Sequence, residues 1–75
     1  MKDIKMMRLT IGEKISLLRQ KEGRSIEEVA EFMKMTVGTY EKIEDDFLYP
    51  KDEQIARLGR LYGLTYEQVI SVGEE

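Results

Sequence analysis

Between Ser25 and Glu44 the chain reads SIEEVAEFMKMTVGTYEKIE, and this stretch leaves little freedom in how the rest can fold. Two short helical patterns meet there at a turn around Lys34 and Met35, and each opens on a hydroxyl residue. Ser25 has Glu28 three positions on, the spacing at which side chain and backbone cap each other reciprocally. Thr36 can accept a hydrogen bond from a backbone N–H that the next helix would otherwise leave unpaired. In the first pattern Ile26, Val29, Ala30 and Met33 fall on one apolar face; in the second Tyr40 and Ile43 continue an inward stripe from Thr36, and the same period carries it on to Phe47. Ala30 is small where two crossing helices would touch most closely. Neither helix is long enough to stand alone, so both need further elements to cover their apolar faces.

The flanking sequence supplies them. Thr10 and Glu13 repeat the capping spacing, Ile11, Ile15 and Leu18 form a buried stripe, and Gly23 stops the helix after Lys21, a cation placed favourably near its negative end. Tyr49-Pro50 breaks the chain after the third helix. Asp52 is expected to cap a fourth helix with the stripe Ile55, Leu58, Leu61 and Tyr62, ended by Gly63. Thr65 and Gln68 open a short fifth that carries Val69 and Ile70 inward. Phe32 and Leu48 lie off these stripes. The expected organisation is an N-terminal arm over residues 1–9, a compact all-α five-helix domain over 10–72 and a solvated tail over 73–75. Helices two and three form a helix-turn-helix.

Composition removes several classes of function. The 75 residues include no Cys and no His, which excludes disulfides, thiolate or imidazole metal sites and the usual nucleophile–base pairs. No Gly-rich phosphate loop occurs, so no catalytic residue, metal or cofactor is expected. No apolar run approaches a membrane span and the charged start is not a signal peptide, which points to the cytoplasm and to no membrane partner. Charge is unevenly spread. Residues 1–24 hold seven cations against three carboxylates, whereas residues 25–50 hold two against seven. Lys2, Lys5, Arg8 and Lys14 are candidates for phosphate contacts from the arm and the first helix.

The segments IGEKISLLRQKEG, SIEEVAEFMKMT, TYEKIE, YP and LGRLYGLTYEQVI, spread from Ile11 to Ile70, resemble the Cro/repressor-type, or lambda-repressor-like, helix-turn-helix family. The resemblance implies a five-helix fold whose third helix docks in the major groove of double-stranded operator DNA. It implies a buried ion pair between Arg19 and Glu44. It places base contacts at Val37, Gly38 and Lys42 and phosphate contacts at Thr36 and Thr39, with Ser25 among the DNA-binding positions at the start of the second helix. Lys42 suits a guanine edge and Val37 a thymine methyl. The chain departs from the family pattern at Lys34, where a turn glycine is usual, and at Asp45, Asp46, Phe47 and Leu48, where Asn-Gly and basic residues are common. Carboxylates there oppose the phosphate neutralisation that supplies most DNA affinity.

Two functions follow. The first is a sequence-specific DNA-binding transcriptional regulator, acting as a homodimer on a two-fold operator. The alternative is a helix-turn-helix turned to protein binding, antitoxin-like or regulating another DNA-binding protein, its acidic helix-three face meeting a basic partner.

Overall fold

The structure, a computed structural model, describes residues 8–74; Lys2, Lys5 and the methionines at 6 and 7 lie outside the described residues. The elements run α1 (Ile11–Lys21), α2 (Ile26–Met33), α3 (Val37–Glu44), α4 (Asp52–Tyr62) and α5 (Tyr66–Ile70). Four begin on a hydroxyl cap: Thr10, Ser25, Thr36 and Thr65 each accept from the N–H three residues on. The fourth helix differs from the expectation. Lys51 occupies the cap position in extended backbone and supplies no side-chain bond; only the return half forms, Lys51 N–H donating to Gln54 Oε1 at 2.8 Å. Asp52 is instead the first helical residue, where its carboxylate faces the positive end of the dipole.

The core is built from one stripe of each helix. Ile15, Val29, Tyr40, Ile43, Ile55, Leu58 and Val69 are almost wholly excluded from solvent, each aliphatic side chain contributing about 1.5–3 kcal/mol by its burial. Leu61, Tyr62 and Ile70 pack at the margin, half-buried rather than central. Phe47 does not continue the stripe of Tyr40 and Ile43: it is 83% exposed. The helix ends before it, because Asp46 turns left-handed at φ 65° and redirects the chain.

That turn is fixed by α1. Asp46 Oδ2 accepts from the Thr10 hydroxyl at 2.5 Å and Oδ1 from the Gly12 N–H at 3.0 Å, so a carboxylate from the end of α3 caps the start of α1. The approach is close enough to require glycine at 12, since a Cβ there would sit 2.5 Å from the carbonyl oxygens of Ile43 and Glu44. On the other side of α1, Lys14 is buried, its Nζ donating to the Ile70 carbonyl and, at 2.8 Å, to Glu74 Oε2. Lys14 is therefore part of the scaffold and unavailable to phosphate. Glu74, within the tail expected to be solvated, is correspondingly engaged.

Candidate nucleic-acid interface

The geometry of the pair α2–α3 is set at its turn. Lys34 adopts φ 60°, ψ 44°, a left-handed conformation that costs a residue with a Cβ about 1–2 kcal/mol. Two backbone bonds close around it, Lys34 N–H to Glu31 O and Met35 N–H to Ala30 O, both 3.0 Å, and satisfy the carbonyls at the end of α2. The chain then enters α3 through Thr36, whose Oγ1 accepts from Thr39 N–H at 3.1 Å and pairs with Thr39 Oγ1 at 3.0 Å. Val29, Ala30 and Met33 of α2 are buried, as are Tyr40 and Ile43 of α3, and the two helices pack directly against one another.

With Tyr40 and Ile43 turned inward, the outer surface of α3 is a stripe of Val37, Gly38, Glu41, Lys42 and Asp45, all exposed. These positions follow helical spacing, so Lys42 stands one turn beyond Gly38, and Glu41 one turn beyond Val37. The structure thus brings Thr36, Val37, Gly38, Thr39 and Lys42 together on one short helix. Thr39 is half-buried beside Thr36. Ser25 lies apart from them, at the start of α2, exposed and committed to the Glu28 N–H at 3.0 Å. Gly38 presents bare backbone, and a Cβ added there would meet no heavy atom within 4 Å.

Behind this stripe a polar cluster fixes the end of α3. Arg19 grips Glu44 with two bonds, Nε to Oε2 at 2.7 Å and Nη2 to Oε1 at 3.2 Å, and its Nη1 donates to the Arg24 carbonyl at 3.0 Å. The Tyr40 hydroxyl donates to Glu44 Oε2 from within the core. Burial, and then this bond to a carboxylate, holds the Tyr40 phenol well above its ordinary range; the bonds that Arg19 donates to Glu44 raise its guanidinium too. Side-chain exposures of 15% for Arg19 and 8% for Glu44 make the pair an internal one, which is costly to strand.

These commitments change how the acidic character of the segment is distributed. Glu44 answers Arg19, and Asp46 caps α1, so of the carboxylates in 41–46 only Glu41 and Asp45 lie on the exposed stripe. Sequence reasoning missed the Tyr40 hydroxyl as the third member of the Arg19–Glu44 cluster, and it missed Asp46 as a cap. A polar atom on an otherwise core-like residue was the available signal for the first. Nothing local signals the second, whose partners lie 34 and 36 positions away.

Short helices joined at a tight left-handed turn, the second offering its outer face from a rigid five-helix base, define the helix-turn-helix class of DNA-binding protein. Comparison with protein families places the chain there: residues 10–69 match the profile described as helix-turn-helix domain, and the chain belongs to that family. A search of curated proteins returned no match. The chain is accordingly a DNA-binding domain of the transcription-regulator type, from a family that typically binds rather than catalyses. Among the described residues, no helix is long and apolar enough to cross a membrane, and no group of acidic side chains is arranged to hold a metal ion.

Proposed function

We propose that this protein is a sequence-specific transcriptional regulator that lays α3 in the major groove, two copies binding a two-fold operator in the cytoplasm. The observation that carries the reading is the exposed α3 stripe on a helix whose inner face is locked by Tyr40, Ile43 and Glu44. Lys42 is its hydrogen-bond donor, suited to guanine O6 and N7; Val37 offers apolar contact to a thymine methyl. Glu41, on the same face, can accept from a cytosine amine, which turns a carboxylate from a general liability into a sequence requirement. Thr36, Thr39 and Ser25 supply neutral donors to phosphate. Gly38 lets the backbone approach the groove closely.

The test is a fluorescence anisotropy titration of the protein with duplex DNA from its own upstream region at low salt. Binding that weakens steeply as salt rises is expected. Lys42→Ala, at an exposed position, leaves the thermal melt unchanged and reduces discrimination between the operator and a guanine-substituted duplex by about 1–3 kcal/mol. No anisotropy change at low salt, or full discrimination retained by Lys42→Ala, overturns the assignment.

A further inference from the structure

The loop between α3 and α4 carries three consecutive large apolar residues facing solvent: Phe47 is 83% exposed, Leu48 43% and Tyr49 69%. Single exposed apolar side chains are ordinary on any surface, but a contiguous run marks an interaction site. We infer that Phe47, Leu48 and Tyr49 form a docking site for another protein, one that presents a basic segment with an apolar centre, adjoining the end of the DNA-reading stripe and sharing its acids Glu41 and Asp45.

The loop is held in place at both ends. Asp46 fixes its start through Thr10 and Gly12; the N–H groups of Phe47 and Leu48 both donate to the Lys42 carbonyl, at 2.8 and 3.2 Å; and Pro50 is buried at its end. The three side chains are displayed on a frame that is already ordered, so a partner has little conformational entropy to overcome there. Aromatic residues in that setting are the type that dominates protein interfaces.

Charge decides among occupants. The segment 41–53 holds six carboxylates and two lysines. Arg19 neutralises Glu44, whereas among the described residues Asp46 and Asp52 bond uncharged donors, Thr10, Gly12 and the Tyr66 hydroxyl. Glu41, Asp45 and Glu53 are exposed. Beyond α3, where Asp45, Asp46, Asp52 and Glu53 flank the loop, this field disfavours a phosphate backbone. A second copy meeting the same patch across a two-fold axis would set carboxylates against carboxylates. A protein segment with Lys or Arg around an apolar side chain complements both parts, its cations facing the acids and the rings of Phe47 and Tyr49.

The test uses the full chain and a defined probe: a fluorescent synthetic helix of Leu and Lys at amphipathic spacing, with a second in which Glu replaces Lys. At physiological ionic strength the Lys helix is expected to bind and the Glu helix not. F47S/Y49S, which removes only exposed surface, should weaken the Lys helix about tenfold or more, and E41Q/D45N should weaken it severalfold. Melts of both variants should match that of the parent. Unchanged peptide affinity in either variant overturns the inference. So does loss of DNA binding by F47S/Y49S with peptide binding intact, which would assign the loop to DNA, or a parent dimer that this variant dissociates, which would assign it to a second copy. DNA binding by F47S/Y49S equal to the parent, with peptide binding lost, supports the inference and leaves the reading of α3 standing on its own test.

Discussion

Removing the Asp46 carboxylate tests whether the joint between α1 and α3 is as consequential as its geometry indicates. Asp46 accepts two hydrogen bonds, from Gly12 N–H at 3.0 Å and from the Thr10 hydroxyl at 2.5 Å, at the positive end of α1. Loss of a helix cap costs about 0.5–2 kcal/mol, and the dipole interaction adds about 0.3–1 kcal/mol. Asp46→Ala also puts a side chain without local hydrogen-bonding capacity at φ 65°, where aspartate is better tolerated. The expected total for Asp46→Ala is about 1–3 kcal/mol, a fall in Tm of roughly 4–24 °C for a domain of this size. Asp46→Asn keeps an acceptor for Gly12 and loses the charge, so it falls less. Asp46→Gly loses both bonds but relieves the left-handed strain, and it lies between the two. Thermal unfolding followed by circular dichroism reads the series. An Asp46→Ala melt within about 2 °C of the parent, well under the shift expected for even 1 kcal/mol, would refute the reasoning. A glycine variant more stable than the parent would also refute it, since backbone strain would then outweigh anything the carboxylate does.

Glu44→Ala strands the Arg19 guanidinium and the Tyr40 hydroxyl, and a loss of about 3–5 kcal/mol is expected in denaturant titration; a midpoint shift worth less than 1 kcal/mol would count against the pair. The Glu74 carboxyl is held below its usual 4.5 by its bond to Lys14 and by that ammonium's charge. A depressed acid stabilises the fold above its unfolded value, so this contribution is complete above about pH 4.5 and is lost as pH falls through the folded value. Glu74→Gln should therefore lower Tm near neutrality and bring the two melts together at acid pH, where a constant gap would show the pairing to be idle.

Much of the fold is legible because it is local. The pairs Thr10–Glu13, Ser25–Glu28 and Thr65–Gln68 fix helix starts within four residues, and all three form. What could not be read depends on distant partners. Phe47 continues the period of Tyr40 and Ile43, yet the helix stops short of it because Asp46 is drawn to α1 across more than thirty residues. Lys14 sits among Ile11, Ile15 and Leu18 on the buried face, where a pattern of apolar letters passes over a lysine; its stem packs inside while the ammonium finds Ile70 O and Glu74. At α4 the hydroxyl-and-acid rule favours Asp52, but extended backbone after Pro50 makes Lys51 the last non-helical residue. In the candidate site, the exposed stripe of α3 follows from its buried positions, whereas the Arg19–Glu44 contact needed family resemblance, and its tyrosine needed coordinates.

Gly38 has a consequence for how this protein can change. Its position has room for a Cβ, which projects into open space, and its φ is not positive. Replacing glycine inside a helix with alanine gains roughly 0.5–1 kcal/mol, so a good helix former there also strengthens α3. The centre of the exposed α3 surface is thus an interchangeable socket: under the proposed reading, operator preference could be rewritten there one residue at a time, with no compensating repair in the scaffold beneath.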